Sequence, residues 1–354
     1  MAQALELAEQ GLYGTSPNPR VGCVLVADGQ IVGSGWHRRA GEPHAEVLAL
    51  REAQGKARNA TAYVTLEPCS HHGRTPPCAD ALVAAGVARV VVAVQDPNPL
   101  VAGEGIARLR TAGIPVESGL MEAAATELNR GFFARMTRGT PWLRSKIAMS
   151  LDGRTALANG ASKWITGDAA RLDVQHWRAR SCAVLTGIGT VLADDAQLNV
   201  RDVATDRQPL RVVLDSRLRM PLTARMLSDG NVRIYAALRD PEIVAALENA
   251  GATVSVMANE NGQVDLQAML RDLAQRGCNE VLLEAGSSLN GALLRAGMVD
   301  ELLLYVAPQL LGDGARGMAK LGVLTGLDQR IELKWQDVRQ VGNDLRITVK
   351  VENV

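Results

Sequence analysis

Pro43-His44-Ala45-Glu46 and, farther on, Glu67-Pro68-Cys69-Ser70-His71-His72-Gly73-Arg74-Thr75-Pro76-Pro77-Cys78 carry the pattern that decides the first half of the chain. Two thiolates and an imidazole suit Zn²⁺ and leave the fourth tetrahedral position for water. Each candidate ligand stands at an expected helix start, Pro43 before His44 and Pro76-Pro77 before Cys78. The positive end of a helix helps keep a thiolate deprotonated. His44 and Glu46 are two residues apart, which on a regular helix separates them by roughly 200°. Glu46 therefore reads as a second group above the metal rather than as a ligand. A carboxylate there can take a proton from activated water and hand it to a leaving amine. Four of the five histidines (His37, His44, His71 and His72) crowd into this region, with His176 far downstream. Metal chemistry thus belongs to the first half, and the second half has a different task.

Outward from this motif, helix and strand alternate. Apolar spacing predicts a helix over Ala2–Gln10, a strand over Val21–Val26, an Asp28-Gly29 hairpin turn and a second strand over Ile31–Trp36. Pro43 opens a helix to about Ala53. Ala62–Leu66, Arg89–Val94 and Pro115–Glu117 read as strands, and Cys78–Ala85 and Gly103–Ala112 as helices. The pattern lapses between Asn129 and Pro141, where both phenylalanines of the chain sit, read here as an inter-domain anchor. The boundary falls near residue 141, giving domains 1–141 and 142–354. Beyond it, strands are expected over Leu143–Met149, Ala183–Thr186, Arg211–Leu214, Arg233–Ala237, Thr253–Val256 and Glu280–Glu284. Helices are expected over Asp168–Arg180, Glu242–Ala250 and Leu266–Gln275. Leu302–Ala307, Ile331–Val338 and Asp344–Val351 close the chain as strands with little helix between them. The fold class is α/β in two domains, the second finished by an antiparallel segment.

Composition narrows the functional classes. At 354 residues the chain exceeds one ordinary core. Thirty-eight basic and 38 acidic side chains cancel, so it lacks the basic excess of a nucleic-acid binder. No apolar run approaches the ~20 residues of a membrane span, and the N-terminus lacks an export signal. Five irregularly spaced cysteines do not form a secreted disulfide framework, which points to the cytoplasm. Cys23, Cys182 and Cys278 read as packing residues. In the second half, Glu284-Ala285-Gly286-Ser287-Ser288-Leu289-Asn290-Gly291-Ala292 follows a strand and opens a helix. Glycines and small hydroxyls at a helix N-terminus offer backbone N–H groups to a phosphate.

His-x-Glu…Pro-Cys is the signature of zinc deaminases that act on cytosine- or adenine-like amines, although eight residues separate Cys69 and Cys78 where two are common. That insertion carries the resemblance. Thr65–Cys78 resembles the bifunctional riboflavin-biosynthesis deaminase–reductase family, as do Ser16-Pro17-Asn18-Pro19-Arg20-Val21-Gly22, Ala40–Glu46 and Gln95-Asp96-Pro97-Asn98-Pro99. Lys146–Thr155, Ser162-Lys163-Trp164-Ile165-Thr166-Gly167 and Thr186–Arg201 are similar to its reductase domain. Ala196 stands where the family tends to have proline.

The resemblance implies a cytidine-deaminase-like zinc domain followed by a dihydrofolate-reductase-like domain that uses NADPH. It implies one zinc per chain on His44, Cys69 and Cys78, Glu46 as proton shuttle, and Asn18, His37, Arg74, Asp96 and Asn98 around the first substrate. Ala148, Trp164, Thr190, Asp194, Ser216 and Gly286–Ala292 (Gly286, Ser287, Ser288, Leu289, Asn290, Gly291, Ala292) would line the NADPH site. Ser162, Arg178, Leu198, Arg201 and Glu284 would meet the second substrate, with both arginines suited to a ribose phosphate. The implied reactions are deamination of 2,5-diamino-6-(5-phosphoribosylamino)pyrimidin-4-one, then reduction of 5-amino-6-(5-phosphoribosylamino)uracil to the ribitylamino product. Glu284, Asp194 and Lys146 are candidates for the reductase proton donor. Arg217 and Arg219 are candidates for a contact with the cofactor's 2′-phosphate. The partner is a small phosphoribosylated pyrimidine, neither nucleic acid nor membrane, and a homo-oligomer is compatible. The alternative of a different class is a nucleic-acid-editing zinc deaminase with an appended RNA-binding domain, which the neutral charge and few aromatics oppose.

Overall fold

The computed structural model describes residues 1–70, 77–99 and 101–352. The chain divides into two compact units, Met1–Thr140 and Pro141–Val354. In the first, α1 (Ala2–Glu9) precedes a hairpin of β1 (Gly22–Ala27) and β2 (Gln30–Trp36). Its turn is made by Asp28 and Gly29, both at positive φ, the two-residue geometry that matches strand twist. α2 (Ala45–Ala53), β3 (Thr61–Val64), α3 (Cys78–Ala84), β4 (Arg89–Val92), α4 (Glu104–Thr111) and β5 (Val116–Ser118) follow. The sheet order is β2-β1-β3-β4-β5. β1 is antiparallel to β2 and β3, while β3, β4 and β5 run parallel. The ends of β2, β3 and β4 and the start of β1 therefore meet at one edge.

The stretch read as the inter-domain boundary differs from its sequence reading. Asn129–Pro141 is not a lapse: α5 (Glu122–Leu128) leads into α6 (Arg130–Arg138). Phe132 is buried among Leu5, Leu66, Ala93, Val94 and Ala125, with Phe133 packed against this cluster. That burial outweighs the helix-propensity cost of Gly131, about 1 kcal/mol, and places the phenylalanines in the core of the first unit.

The second unit comprises β6 (Trp142–Ser150), β7 (Arg154–Ala156), α7 (Asp168–Arg180), β8 (Ala183–Gly187), α8 (Ile188–Asp194), β9 (Leu210–Leu214), β10 (Val232–Ala236), α9 (Pro241–Asn249), β11 (Ala252–Val256), α10 (Leu266–Gln275), β12 (Glu280–Leu283), α11 (Ser287–Arg295), β13 (Glu301–Ala307), β14 (Arg316–Gly317), β15 (Glu332–Val341) and β16 (Asp344–Glu352). Nine strands form one sheet in the order β11-β10-β9-β8-β12-β6-β13-β16-β15. They run parallel as far as β13, and β16 and β15 finish the sheet antiparallel. Asp240 and Asp265 cap α9 and α10 by accepting backbone N–H bonds. Among the described residues, no helix is long and apolar enough to cross a membrane.

A buried charge cluster lies under this sheet. Arg144, wholly buried in β6, donates to Glu301 Oε1 (2.6 Å) and Glu280 Oε2 (3.2 Å) and stacks 4.5 Å from the Trp177 ring. Arg144→Met is expected to cost about 3–5 kcal/mol of stability, because two buried carboxylates lose their shared guanidinium. Urea unfolding of the full chain reads this directly. A loss below about 1 kcal/mol would mean that Arg180, which also reaches Glu280, compensates.

Candidate functional site

In the first unit the sheet edge gathers the metal-type residues. His44 is the N-cap of α2 with extended backbone (φ −72°, ψ 165°), and the helix proper begins at Ala45. The regular-helix divergence expected between His44 and Glu46 therefore does not apply. His44 Nδ1 lies 3.6 Å from Cys69 Sγ and 3.3 Å from Cys78 Sγ. Cys78 opens α3, and its backbone N–H donates to Cys69 Sγ at 3.3 Å. The three ligand atoms lie within 4.8 Å of one another. Tetrahedral zinc with bonds of about 2.0–2.3 Å would separate nitrogen and sulfur ligands by about 3.5 Å, so the donor set fits the metal.

The two thiols shift in opposite directions. Hydrogen bonding from Cys78, then His44 and the Cys78 backbone, hold the Cys69 thiol down to about 4 against its burial. The Cys78 thiol is pushed up by its bond to Cys69 and by burial. Bonding to Cys69 raises His44 despite burial. Glu46 is buried in the first turn of α2, outside the three-residue set, and hydrogen-bonds Cys78. Burial, then the charge of Cys69, push its carboxyl up to about 6.

The residues expected around the first substrate lie near the same edge. His37 Nδ1 donates to Pro43 O (3.2 Å), which leaves Nε2 to accept from Asn18 Nδ2 (3.0 Å). Burial lowers the pKa of His37, which favours the neutral ring, and that ring meets His44 edge-on with centroids 5.3 Å apart. Asp96 Oδ1 accepts from the Asn98 backbone at 2.8 Å. Arg74, with His71 and His72, lies outside the described residues. Cys23, Cys182 and Cys278 are buried.

In the second unit a cavity of about 1270 Å³ opens at the carboxyl ends of β8 and β12, beside β6. Its walls include Ala148, Trp164, Thr190, Asp194 and Gly286–Leu289, and also Ser162, Arg178, Leu198, Arg201 and Glu284. Gly286 is the N-cap of α11 and, being glycine, has no side chain to cap it, a backbone arrangement suited to phosphate. Volume and anion-binding end together fit a dinucleotide. Asn290 is buried, its amide donating to Ala285 O and Met318 O. Neither it nor Gly291 or Ala292 lines the cavity. Ser216 donates to Gln263 Oε1 and accepts from the Val264 N–H, and it too lies off the cavity, as do the exposed Arg217 and Arg219.

Glu284 is the hub of this cavity. Arg178 holds it through two bonds (2.5 and 3.0 Å) and Lys146 Nζ lies 3.3 Å away. Burial would raise its carboxyl, but these two cations outweigh it and hold the group down at about 2. Arg178 and Lys146 thus anchor Glu284 as a paired carboxylate. Asp194 pairs with Lys163 at 3.0 Å. Sequence reading passed over Gln175, whose Oε1 accepts from the Arg201 backbone at 3.0 Å. Its place three residues before Arg178 on α7 was the available signal.

Residues 1–94 match the cytidine and deoxycytidylate deaminase zinc-binding region, and residues 141–347, more than half the chain, match the RibD C-terminal domain. The chain belongs to the RibD family. The riboflavin biosynthesis protein RibD of Escherichia coli K12 is 50% identical, over 98% of this chain and 96% of its own. That of Haemophilus influenzae is 45% identical, over 100% and 97%. Among solved structures, Acinetobacter baumannii RibD (form 1) superposes with a TM-score of 0.93 at 50% identity, covering 99% and 98%. A Thermotoga maritima diaminohydroxyphosphoribosylaminopyrimidine deaminase/5-amino-6-(5-phosphoribosylamino)uracil reductase has a TM-score of 0.86 at 33% identity, covering 99% and 97%. RibD chains are bifunctional deaminase–reductases of riboflavin biosynthesis, and this chain is one, with zinc and NADPH as cofactors. The RNA-binding alternative falls, because its supposed second domain is the RibD C-terminal domain.

Proposed function

We propose that residues 1–141 remove the 2-amino group of 2,5-diamino-6-(5-phosphoribosylamino)pyrimidin-4-one, and that residues 142–354 reduce the resulting phosphoribosylaminouracil. The observation that carries this is the His44, Cys69 and Cys78 set with the buried Glu46 carboxyl beside it. Bound zinc would lower the pKa of water and supply a nucleophile at neutral pH. Glu46 takes the proton of the attacking water as C–O forms and then delivers it to the amine, so that C–N breaks and ammonia leaves. Asn18, His37, Asp96 and Asn98 orient the pyrimidine, with Arg74 on the ribose phosphate.

In the second unit, NADPH, when bound, would be the source of the hydride that the ribosyl C1′ needs. Ala148, Trp164, Thr190, Asp194 and the start of α11 hold the cofactor, while Ser162, Arg178, Leu198 and Arg201 hold the ribotide. As the C1′–ring oxygen bond opens, that oxygen takes a proton. Lys146 carries transferable protons in that corner, and Glu284 fixes it and Arg178 in place. Pure protein given the diaminopyrimidinone ribotide should release ammonia without NADPH and consume NADPH only afterwards. NADPH oxidation without prior ammonia release would refute the proposed order.

We place the protein in the cytoplasm, where its five free thiols stay reduced, and propose that it self-associates. The apolar sheet face that buries Val349 and Val351 continues onto the edge strand β15. There a bulge keeps Leu333, Trp335 and Val338 on that face, opposite Val351, Val349 and Ile347. Trp335 is 69% exposed and Val338 55%. A second copy paired across a two-fold axis would cover this face and satisfy the strand's open hydrogen bonds. Sedimentation velocity should show a dimer that Trp335→Lys dissociates; a monomeric parent chain would rule the interface out.

A further inference from the structure

Glu67 is the acid immediately before Pro68-Cys69, it is buried, and the mechanism above does not use it. Its two oxygens accept four backbone N–H bonds. Oε2 takes those of Asp96 (3.1 Å) and Gly103 (3.0 Å), and Oε1 takes those of Gly105 (2.9 Å) and Ile106 (3.1 Å). Gly103 is the N-cap of α4 and has no side chain to cap it, so Glu67 supplies the cap from a distant segment. Gly105 packs so closely on this segment that a Cβ there would overlap the Pro68 carbonyl. Glu67 N–H in turn donates to Val94 O at 3.0 Å. One carboxylate therefore joins the segment that bears Cys69, the start of α4 and the loop that bears Asp96 and Asn98.

We infer that Glu67 is a positioning residue of the deaminase, which sets the Asp96-Pro97-Asn98 loop at a fixed distance from the Cys69 segment and so places the pyrimidine over the reacting centre. This rests on the reading that Asn98 meets the substrate. Asp96 transmits the constraint: its N–H is held by Glu67 while its Oδ1 holds the Asn98 N–H. Glutamine at position 67 has one oxygen where two are used, so it turns an N–H donor toward one of the two pairs of N–H groups.

The test is a double-mutant cycle in the full-length zinc-loaded chain, with deaminase kcat and KM measured separately and zinc content as the check on folding. Glu67→Gln should keep its zinc, raise KM about ten-fold or more, and change kcat less. In an Asn98→Ala background it should raise KM no further, because the side-chain contact that Glu67 would position is already gone. Additive effects on KM, or a fall in kcat alone, would show that Glu67 serves only the fold. An unchanged KM in Asn98→Ala alone would remove the substrate reading and this inference with it. If the glutamine variant sheds zinc, Glu67→Asp, which keeps both oxygens, replaces it in the cycle with the same outcomes.

Discussion

Cys78→Ala is expected to leave the protein with far less than one zinc per chain and no measurable deamination, while reduction of the already deaminated ribotide continues. Cys78 Sγ is 3.3 Å from His44 Nδ1 and its backbone N–H orients Cys69. The substitution therefore removes one donor and keeps the backbone bond to the other sulfur. Losing an outer-shell partner of a metal typically costs 10–100-fold in affinity, roughly, and losing a ligand should cost more. Metal analysis after dialysis gives the answer. Unchanged zinc content would take Cys78 out of the ligand set.

Glu46→Gln should separate metal binding from catalysis. The change keeps the shape of a buried side chain that lies outside the three-residue set, so zinc should remain at the parent level. The glutamine cannot carry a proton from water to amine, and deaminase kcat should fall by about 10²–10⁴. Reductase turnover should be unchanged. Zinc loss in parallel with activity would make Glu46 a ligand. A kcat within a few-fold of the parent would require another proton carrier.

The sequence was readable where side-chain chemistry and period coincide. His44, Cys69 and Cys78 are separated by up to 34 positions but stand beside strand ends and helix starts, and the α/β alternation brings those ends together. Helices such as α7 and α10 were legible from their apolar spacing. α6 was hidden because Gly139 and Pro141 punctuate the stretch as a boundary, and only the burial of Phe132 reveals the helix. Glu67 stood inside the quoted motif without a role, since its partners are backbone groups that leave no trace in residue identity. Asn290, Gly291 and Ala292 continue a phosphate-type helix start, yet Asn290 and Gly291 are buried against Met318 and Lys320. Glu284 was visible as an acid, but its ionised state depends on Arg178, 106 positions away.

The strand order of the second unit also sets a timetable for synthesis. Every strand of the first unit has emerged by Ser118 and the unit's last helix by Arg138. β6 comes next but lies between β12 and β13, and its register pairs Trp142 with Glu280 and Arg144 with Glu301. At typical ribosomal speeds of 5–20 residues per second, this mostly apolar strand waits roughly 10–30 s for its neighbours. β16, inserted between β13 and β15, arrives later still. A nascent chain stalled near residue 200 would thus present a finished first unit followed by an unpaired β6, the segment through which holding chaperones would engage it.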